Sequence, residues 1–280
     1  MELSLGIPWV FGEGSGLRLL LQYSLSWSMV AGEVWMATFV LVHGAWAGGW
    51  IWKKIIPLLR AAGHNVHATT ATGLGDRVHL PDPAIDLDTY VTDVVNVLAF
   101  EELTDVTLVG WSYGGMIISG VAERVPERLA QLVYLDAFVP ADGENAYDAG
   151  LHSDEARAAD RAAAEAAGMP GFVVIDAYAE WIRRLTPDPA DQEWLFAKFV
   201  AQPLATYTQP IQLGNPVAAA VPRAFIFCTE GTEDAAVDPF VRTATRVRSA
   251  PGWRYRELAD THFAPINSPQ ATAEALLSLV

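Results

Sequence analysis

Residues 106–116 read Val-Thr-Leu-Val-Gly-Trp-Ser-Tyr-Gly-Gly-Met, an apolar, β-branched run that breaks at Gly110-Trp111-Ser112-Tyr113-Gly114. Such a run predicts a buried strand turning sharply into a helix, with one hydroxyl held at the turn. Glycines two residues either side of Ser112 permit a tight backbone and close approach of neighbouring chain, and the strained turn exposes the serine Oγ. A Gly-x-Ser-x-Gly string is common by chance. Its meaning here comes from the strand pattern before it and the helix pattern after it. The chemistry offered is nucleophilic attack, and a serine hydroxyl needs a general base, which in turn needs an orienting acid.

The base is expected at His262, in Ala259-Asp-Thr-His-Phe263, directly after the final strand pattern. His43, His64, His67, His79 and His152 all precede that strand. For the acid, Thr229-Glu-Gly-Thr-Glu-Asp234 follows another apolar run, and the chain order Ser112, Asp234, His262 fits a strand-turn-helix nucleophile. Glu233 and Asp238 compete at short range; Asp238 precedes Pro239 and is more simply a helix cap, and Asp260 reads as a loop acid. An oxyanion hole needs backbone N–H groups aimed at developing negative charge. Tyr113, at the start of the following helix, supplies one, and Ala45, in the glycine-rich loop His43-Gly-Ala-Trp-Ala-Gly-Gly49, is the choice for the second.

These residues require a scaffold, and the chain supplies a rhythm for one. Residues 38–42 are a continuous apolar run, as in a strand covered on both faces. Residues 50–62 carry a helical spacing bent at Pro57, and 64–70 read as a second strand. Asp88 caps a helix reaching Phe100, a helix follows the serine turn over 113–123, and 132–135 are a further strand running into Asp136-Ala-Phe-Val-Pro140. Strand and helix alternate, predicting an α/β fold with a mostly parallel sheet flanked by helices. Across 141–216 the alternation stops. Helical stretches at 153–167, 175–185 and 191–201 replace it, read as an inserted helical cap. Strands at 223–229 and 254–258 and helices at 239–248 and 269–280 then resume the core, which comprises 36–140 and 217–280. Trp46, Phe138, Trp194 and Phe263 are candidate walls of an apolar pocket between sheet and cap.

Composition narrows the classes. Half the 280 residues are hydrophobic (51%) and 18% are charged, so the chain can bury a large core. A net charge of −15 without clustered Lys or Arg argues against nucleic acid or an anionic membrane as partner. The single cysteine, Cys228, excludes an internal disulfide framework, and nothing points away from a cytoplasmic setting. His64 and His67, three apart in a strand, face opposite sides, so no metal site is expected; the chemistry needs no cofactor. A homodimer has no sequence signature.

With Ser112, Asp234, His262 and the His43-Gly44 loop in place, the chain resembles the α/β-hydrolase fold over residues 38–280. Within it, the chain is similar to the branch that holds plant methyl-ester esterases and hydroxynitrile lyases together with bacterial carboxylesterases. The likeness is carried by Phe39-Val-Leu-Val-His-Gly-Ala-Trp46, by Trp50-Ile-Trp-Lys-Lys-Ile-Ile-Pro-Leu-Leu-Arg-Ala-Ala-Gly-His64 and by Val109-Gly-Trp-Ser-Tyr-Gly-Gly-Met116. It implies a serine hydrolase acting on small carboxylic esters, and it places the acid three residues after a glycine, as Gly231 to Asp234. Lyase members of the branch tend to carry threonine where this chain has Gly44, and lysine where it has Phe263; the resemblance therefore favours an esterase over a C–C lyase. A binding protein that retains the three residues is the remaining reading, since fold does not fix function. Trp111 stands where relatives often have His or Glu, which bears on pocket shape.

Residues 1–35 fit neither a membrane span nor a signal sequence: their uncharged stretch at 19–32 is short and rich in Ser, and only Arg18 precedes it against two acids. Met36 directly before the first core strand reads as a natural start, with 1–35 an extension outside the fold. Deletion of residues 1–35 is accordingly expected to leave soluble protein with unchanged ester hydrolysis, measured by gel filtration and turnover; loss of either would show that the extension belongs to the folded unit.

Overall fold

The computed structural model describes residues 36–150, 152–234 and 236–280; the expectations for residues 1–35 lie outside them. In chain order the elements are β1 (Thr38–Val42), α1 (Ile56–Ala61), β2 (Asn65–Ala68), α2 (Leu87–Phe100), β3 (Val106–Ser112), α3 (Gly114–Arg124) and β4 (Leu129–Ala137). Then come α4 (Ala146–Ala149), α5 (Asp154–Ala166), β5 (Phe172–Val173), α6 (Ala179–Leu185), α7 (Pro189–Phe196), β6 (Gln202–Pro203), α8 (Ala205–Thr208) and α9 (Pro216–Ala220). The chain closes with β7 (Arg223–Cys228), α10 (Pro239–Val247), β8 (Trp253–Leu258), α11 (Ala264–Asn267) and α12 (Pro269–Leu277). Among the described residues no helix is long and apolar enough to cross a membrane.

Six strands form one parallel sheet in the order β2-β1-β3-β4-β7-β8. Phe39, Val40, Leu41, Leu108, Val109, Leu132, Val133 and Leu135 are shut off from solvent, as strands covered on both faces require. The segment between β4 and β7 is helical apart from the antiparallel pair β5-β6, for which the sequence carried no strand signal. Short strands of two residues leave no alternation to read.

Local differences from the sequence reading have local causes. The expected helix over 50–62 divides into a 3-10 turn, Gly49–Lys54, and α1, because Pro57 at the start of α1 has no N–H to continue the earlier turn. The cap of α2 is Asp86, whose carboxylate accepts from the Thr89 N–H at 2.9 Å, and not Asp88. The buried stripe Leu87, Tyr90, Val91, Val94 and Leu98 already begins at Leu87, so the helix must start two residues earlier.

Beyond β1 the chain enters the glycine-rich loop, and His43 anchors it. The His43 ring is buried; Nδ1–H donates to the Gly44 carbonyl (2.7 Å), and Nε2 accepts from the Ala71 N–H beyond β2 (3.1 Å). Burial pushes its pKa down to about 4 from the usual 6.5, so the ring is neutral in this tautomer at neutral pH. Because the unfolded chain takes up this proton near pH 6.5 and the folded chain only near 4, His43 costs stability as pH falls through that window. The stability advantage of wild type over His43→Gln is expected to shrink by about 3 kcal/mol between pH 7 and pH 4, as read by urea unfolding at each pH.

Candidate active site

Three side chains meet at the carboxyl ends of the central strands. Ser112, the last residue of β3, has φ of +58°, a left-handed conformation uncommon for a residue with a side chain. The two motif glycines make that turn sterically feasible. A Cβ at Gly110 would lie 2.6 Å from the Gly114 carbonyl oxygen, and one at Gly114 would lie 2.8 Å from the carbonyl oxygens of Val42 and His43. The Ser112 hydroxyl meets His262 Nε2 at 2.9 Å, and His262 Nδ1 meets Asp136 Oδ2 at 2.7 Å. With Nδ1–H donating to the carboxylate, Nε2 is left as the acceptor for the serine proton.

Asp136, not Asp234, is therefore the acid on His262, a correction of the sequence reading. The Asp234 side chain is exposed and accepts from the Ala236 N–H of its own loop at 2.8 Å. Asp238 caps α10 through the Phe240 and Val241 N–H groups, as its place before Pro239 suggested, and the exposed Glu233 pairs with Arg184. Asp136 reaches the site through a register shift between β3 and β4. Trp111 pairs with Leu135 and Ser112 with Ala137, leaving Asp136 as the extra, bulged residue with φ of +41°. Its other oxygen accepts from the Cys228 N–H of neighbouring β7 at 3.1 Å. So Asp136, near the end of β4, reaches the end of β7, after which the sequence had sought the acid in the following loop. Chain order does not separate the two, since Asp136 also falls between Ser112 and His262. The signal present was an acid ending an apolar strand.

Burial raises the Asp136 carboxyl above the ordinary range, and the hydrogen bond and charge of His262 together with the Cys228 N–H oppose that rise. The His262 ring is clamped as well as paired: Phe240 stacks on it at 4.6 Å between centroids, with Trp181 at 5.2 Å and Trp111 at 5.3 Å. Trp111 Nε1–H donates to the His262 carbonyl at 2.8 Å. The indole is buried behind the site, so the unusual residue before the serine acts on the histidine's position. Its ring also takes the space beside Gly44, where a Cβ would lie 3.0 Å from the indole and 2.9 Å from Ser112 Cβ. Asp260, read as a loop acid, holds the His262 loop by accepting from the Thr261 N–H and from Asn267 Nδ2.

Ala45 and Tyr113 line the same cavity as Ser112, and among the described residues neither backbone N–H donates to another protein group. Tyr113 and Trp46, the neighbour of Ala45, are braced from the inserted segment. Gln202 Oε1 accepts from the Trp46 N–H at 3.0 Å, and the Tyr113 hydroxyl donates to the Thr206 carbonyl at 2.7 Å. Sequence reasoning gave no hint of Gln202, a fully buried residue whose Nε2 also donates to Thr206 Oγ1.

The cavity over Ser112 measures about 510 Å³. Trp46 and Phe138 line it, as do Tyr178, Trp181, Tyr207 and Phe240, which the sequence reading did not single out. Trp194 and Phe263 do not line it, a second correction. Trp194 packs edge-on against Trp50 at 4.9 Å, and Phe263 is buried between Trp111 and Trp181. A lone aromatic in a sequence is more often packing than wall, and both are packing here.

Comparison with known proteins places this arrangement in context. The model of the Alpha/beta hydrolase family matches residues 39–275. A carbendazim hydrolyzing esterase of Nocardioides sp. is 36% identical over 253 residues, 87% of this chain and all of that protein. An alpha-hydroxynitrile lyase of Arabidopsis thaliana is 42% identical over 106 residues, 36% of this chain and 40% of that protein. Among solved structures, an Arabidopsis methylesterase superposes with a TM-score of 0.68 at 25% identity, covering 87% of this chain and 98% of its own.

Asp136→Asn is expected to lower turnover of an activated ester by about 10⁴-fold, while Asp234→Asn stays within about twofold of the parent, since surface changes away from the reacting groups act weakly. Steady-state kinetics on the two variants decides between the acids; the reverse order would restore Asp234.

Proposed function

This chain belongs to the alpha/beta hydrolase family and is an esterase of that family, and we propose that it cleaves small carboxylic esters through an acyl-enzyme on Ser112. The observation that carries the reading is the continuous hydrogen-bonded chain from Ser112 through His262 to the buried Asp136, at the floor of an aromatic cavity.

In this mechanism His262 Nε2 takes the Ser112 proton as Oγ bonds to the ester carbonyl carbon. The carbonyl oxygen becomes an oxyanion between the Ala45 and Tyr113 N–H groups, the latter aided by the positive end of α3. As the oxyanion collapses, the C–O bond to the alcohol breaks and His262 returns the proton to the leaving oxygen. Water then repeats the sequence with His262 as base, releasing the acid and regenerating Ser112. Asp136 holds the imidazole in the required tautomer and stabilises its positive charge in both steps. Residues 141–216 act as the cap that closes the apolar pocket and selects substrate, for which the Gln202 and Thr206 contacts and the Tyr178 and Trp181 walls are the support.

Gly44 and Trp111 support an esterase over a hydroxynitrile lyase. Any side chain at position 44 would press on the indole and on Ser112, so the threonine expected of the lyase branch has no room here. Phe263 stands where that branch carries lysine, buried and unable to receive a departing anion.

Hydrolysis of p-nitrophenyl acetate and butyrate tests the proposal, with carbendazim as a third substrate because the Nocardioides relative is named for it. Ser112→Ala is expected to lose at least about 10⁴-fold in kcat, and mandelonitrile is expected to remain uncleaved. Equal ester hydrolysis by wild type and Ser112→Ala would refute the mechanism, and mandelonitrile cleavage would turn it into a lyase.

A further inference from the structure

The cavity over Ser112 is lined by the rings of Trp46, Tyr113, Tyr178, Trp181 and Tyr207, with Tyr147 packed on Tyr207 behind them, and most of the polar atoms of these rings are already occupied. The hydroxyls of Tyr147 and Tyr178 both donate to the buried Asp160 carboxylate, each at 3.0 Å. The Tyr113 hydroxyl is spent on Thr206, and Trp46 Nε1–H on the Val173 carbonyl at 3.0 Å. Apart from the Trp181 indole N–H, whose ring packs on His262, two polar groups stand apart. The Tyr207 hydroxyl and the His152 ring nitrogens make no hydrogen bond among the described residues, although both residues line the cavity.

The two are held in place by what surrounds them. Tyr207 is 3% exposed and packs between Tyr113 (5.3 Å) and Tyr147 (5.2 Å), and the Tyr147 ring in turn meets the His152 ring edge-on at 5.3 Å. The His152 backbone is pinned at both ends: its N–H donates to the Tyr147 carbonyl (2.9 Å), and its carbonyl accepts from Arg157 Nε. The imidazole lies over bare Gly150, where a Cβ would come within 3.0 Å of Nε2. The Tyr207 hydroxyl and the His152 ring both border a ligand-sized cavity and keep hydrogen-bonding capacity that a bound ligand can use.

We propose that Tyr207 and His152 form a polar subsite that recognises a neutral hydrogen-bonding nitrogen on the ring system of an aromatic ester, with the ester carbonyl at Ser112. The proposal rests on the hydrolase reading for the orientation of the ligand. Trp46, whose ring lies 4.7 Å from that of Tyr178 and 6.5 Å from that of Tyr207, continues the aromatic lining from the Ala45 loop to the subsite. Neutral ligands are favoured because burial holds the phenol well above and the imidazole below their ordinary ranges, leaving both uncharged at neutral pH. Between them they offer donors and acceptors, so either a ring nitrogen lone pair or a ring N–H can be met.

Binding to Ser112→Ala tests this without turnover. The probes are methyl quinoline-6-carboxylate and methyl indole-5-carboxylate, with methyl naphthalene-2-carboxylate as the isosteric reference, measured by isothermal titration. At least one nitrogen-bearing ester is expected to bind about tenfold or more tightly than the naphthoate. That ratio is expected to fall to near one when Tyr207→Phe or His152→Phe is added. A folding defect weakens all three esters alike and leaves the ratio, and Tyr207→Phe removes only one oxygen. A ratio near one in Ser112→Ala, a ratio unchanged by both substitutions, or no binding of any ester overturns the subsite. The hydrolase reading stands or falls separately, on p-nitrophenyl acetate turnover by the protein with Ser112 intact.

Discussion

The site depends on one buried ion: the Asp136 carboxylate, enclosed between β3 and β7 with its side chain almost sealed from water. A carboxylate in such a place is tenable only if its lone pairs are met, because removing an unpaired charge from water is costly. Here the Cys228 N–H meets one oxygen and His262 Nδ1–H the other. The arrangement fixes the imidazole's tautomer and orientation together, and leaves Nε2 facing Ser112. Three residues with side chains, Trp46, Ser112 and Asp136, sit in left-handed backbone around this point. Such strain persists where the surrounding fold over-determines it, and the parallel sheet provides that constraint.

A second layer of support comes from the inserted segment. Gln202 ties Trp46, next to Ala45, and Thr206 ties Tyr113 to the segment that also walls the pocket. Movement of β6 and α8 would therefore be felt at Trp46 and Tyr113. Asp160 draws off the hydroxyls of Tyr178, which lines the cavity, and of Tyr147, which packs behind Tyr207.

Trp111 and Gly44 illustrate a smaller coupling. The indole braces the His262 carbonyl and fills the volume that a side chain at position 44 would need. Neither residue is interchangeable alone. A substitution at position 44 would displace the ring that positions the histidine, and loss of the ring would open a void beside the nucleophile.

The sequence alone determined the alternating elements, the parallel sheet, Ser112 at a strained turn, and His262 after the last strand, because each depends on local patterning: apolar runs, motif glycines and position relative to a strand end. It also identified Asp238 as a helix cap, since a cap acts within one turn. Only the tertiary structure decided which acid serves His262, because Asp136 reaches it through a one-residue bulge between β3 and β4, and register between strands leaves no trace in either strand's own pattern. The same holds for Gln202, Tyr207 and His152, whose roles come from packing the inserted segment over the sheet, and for Trp194 and Phe263, which look like pocket walls in one dimension and are packing in three.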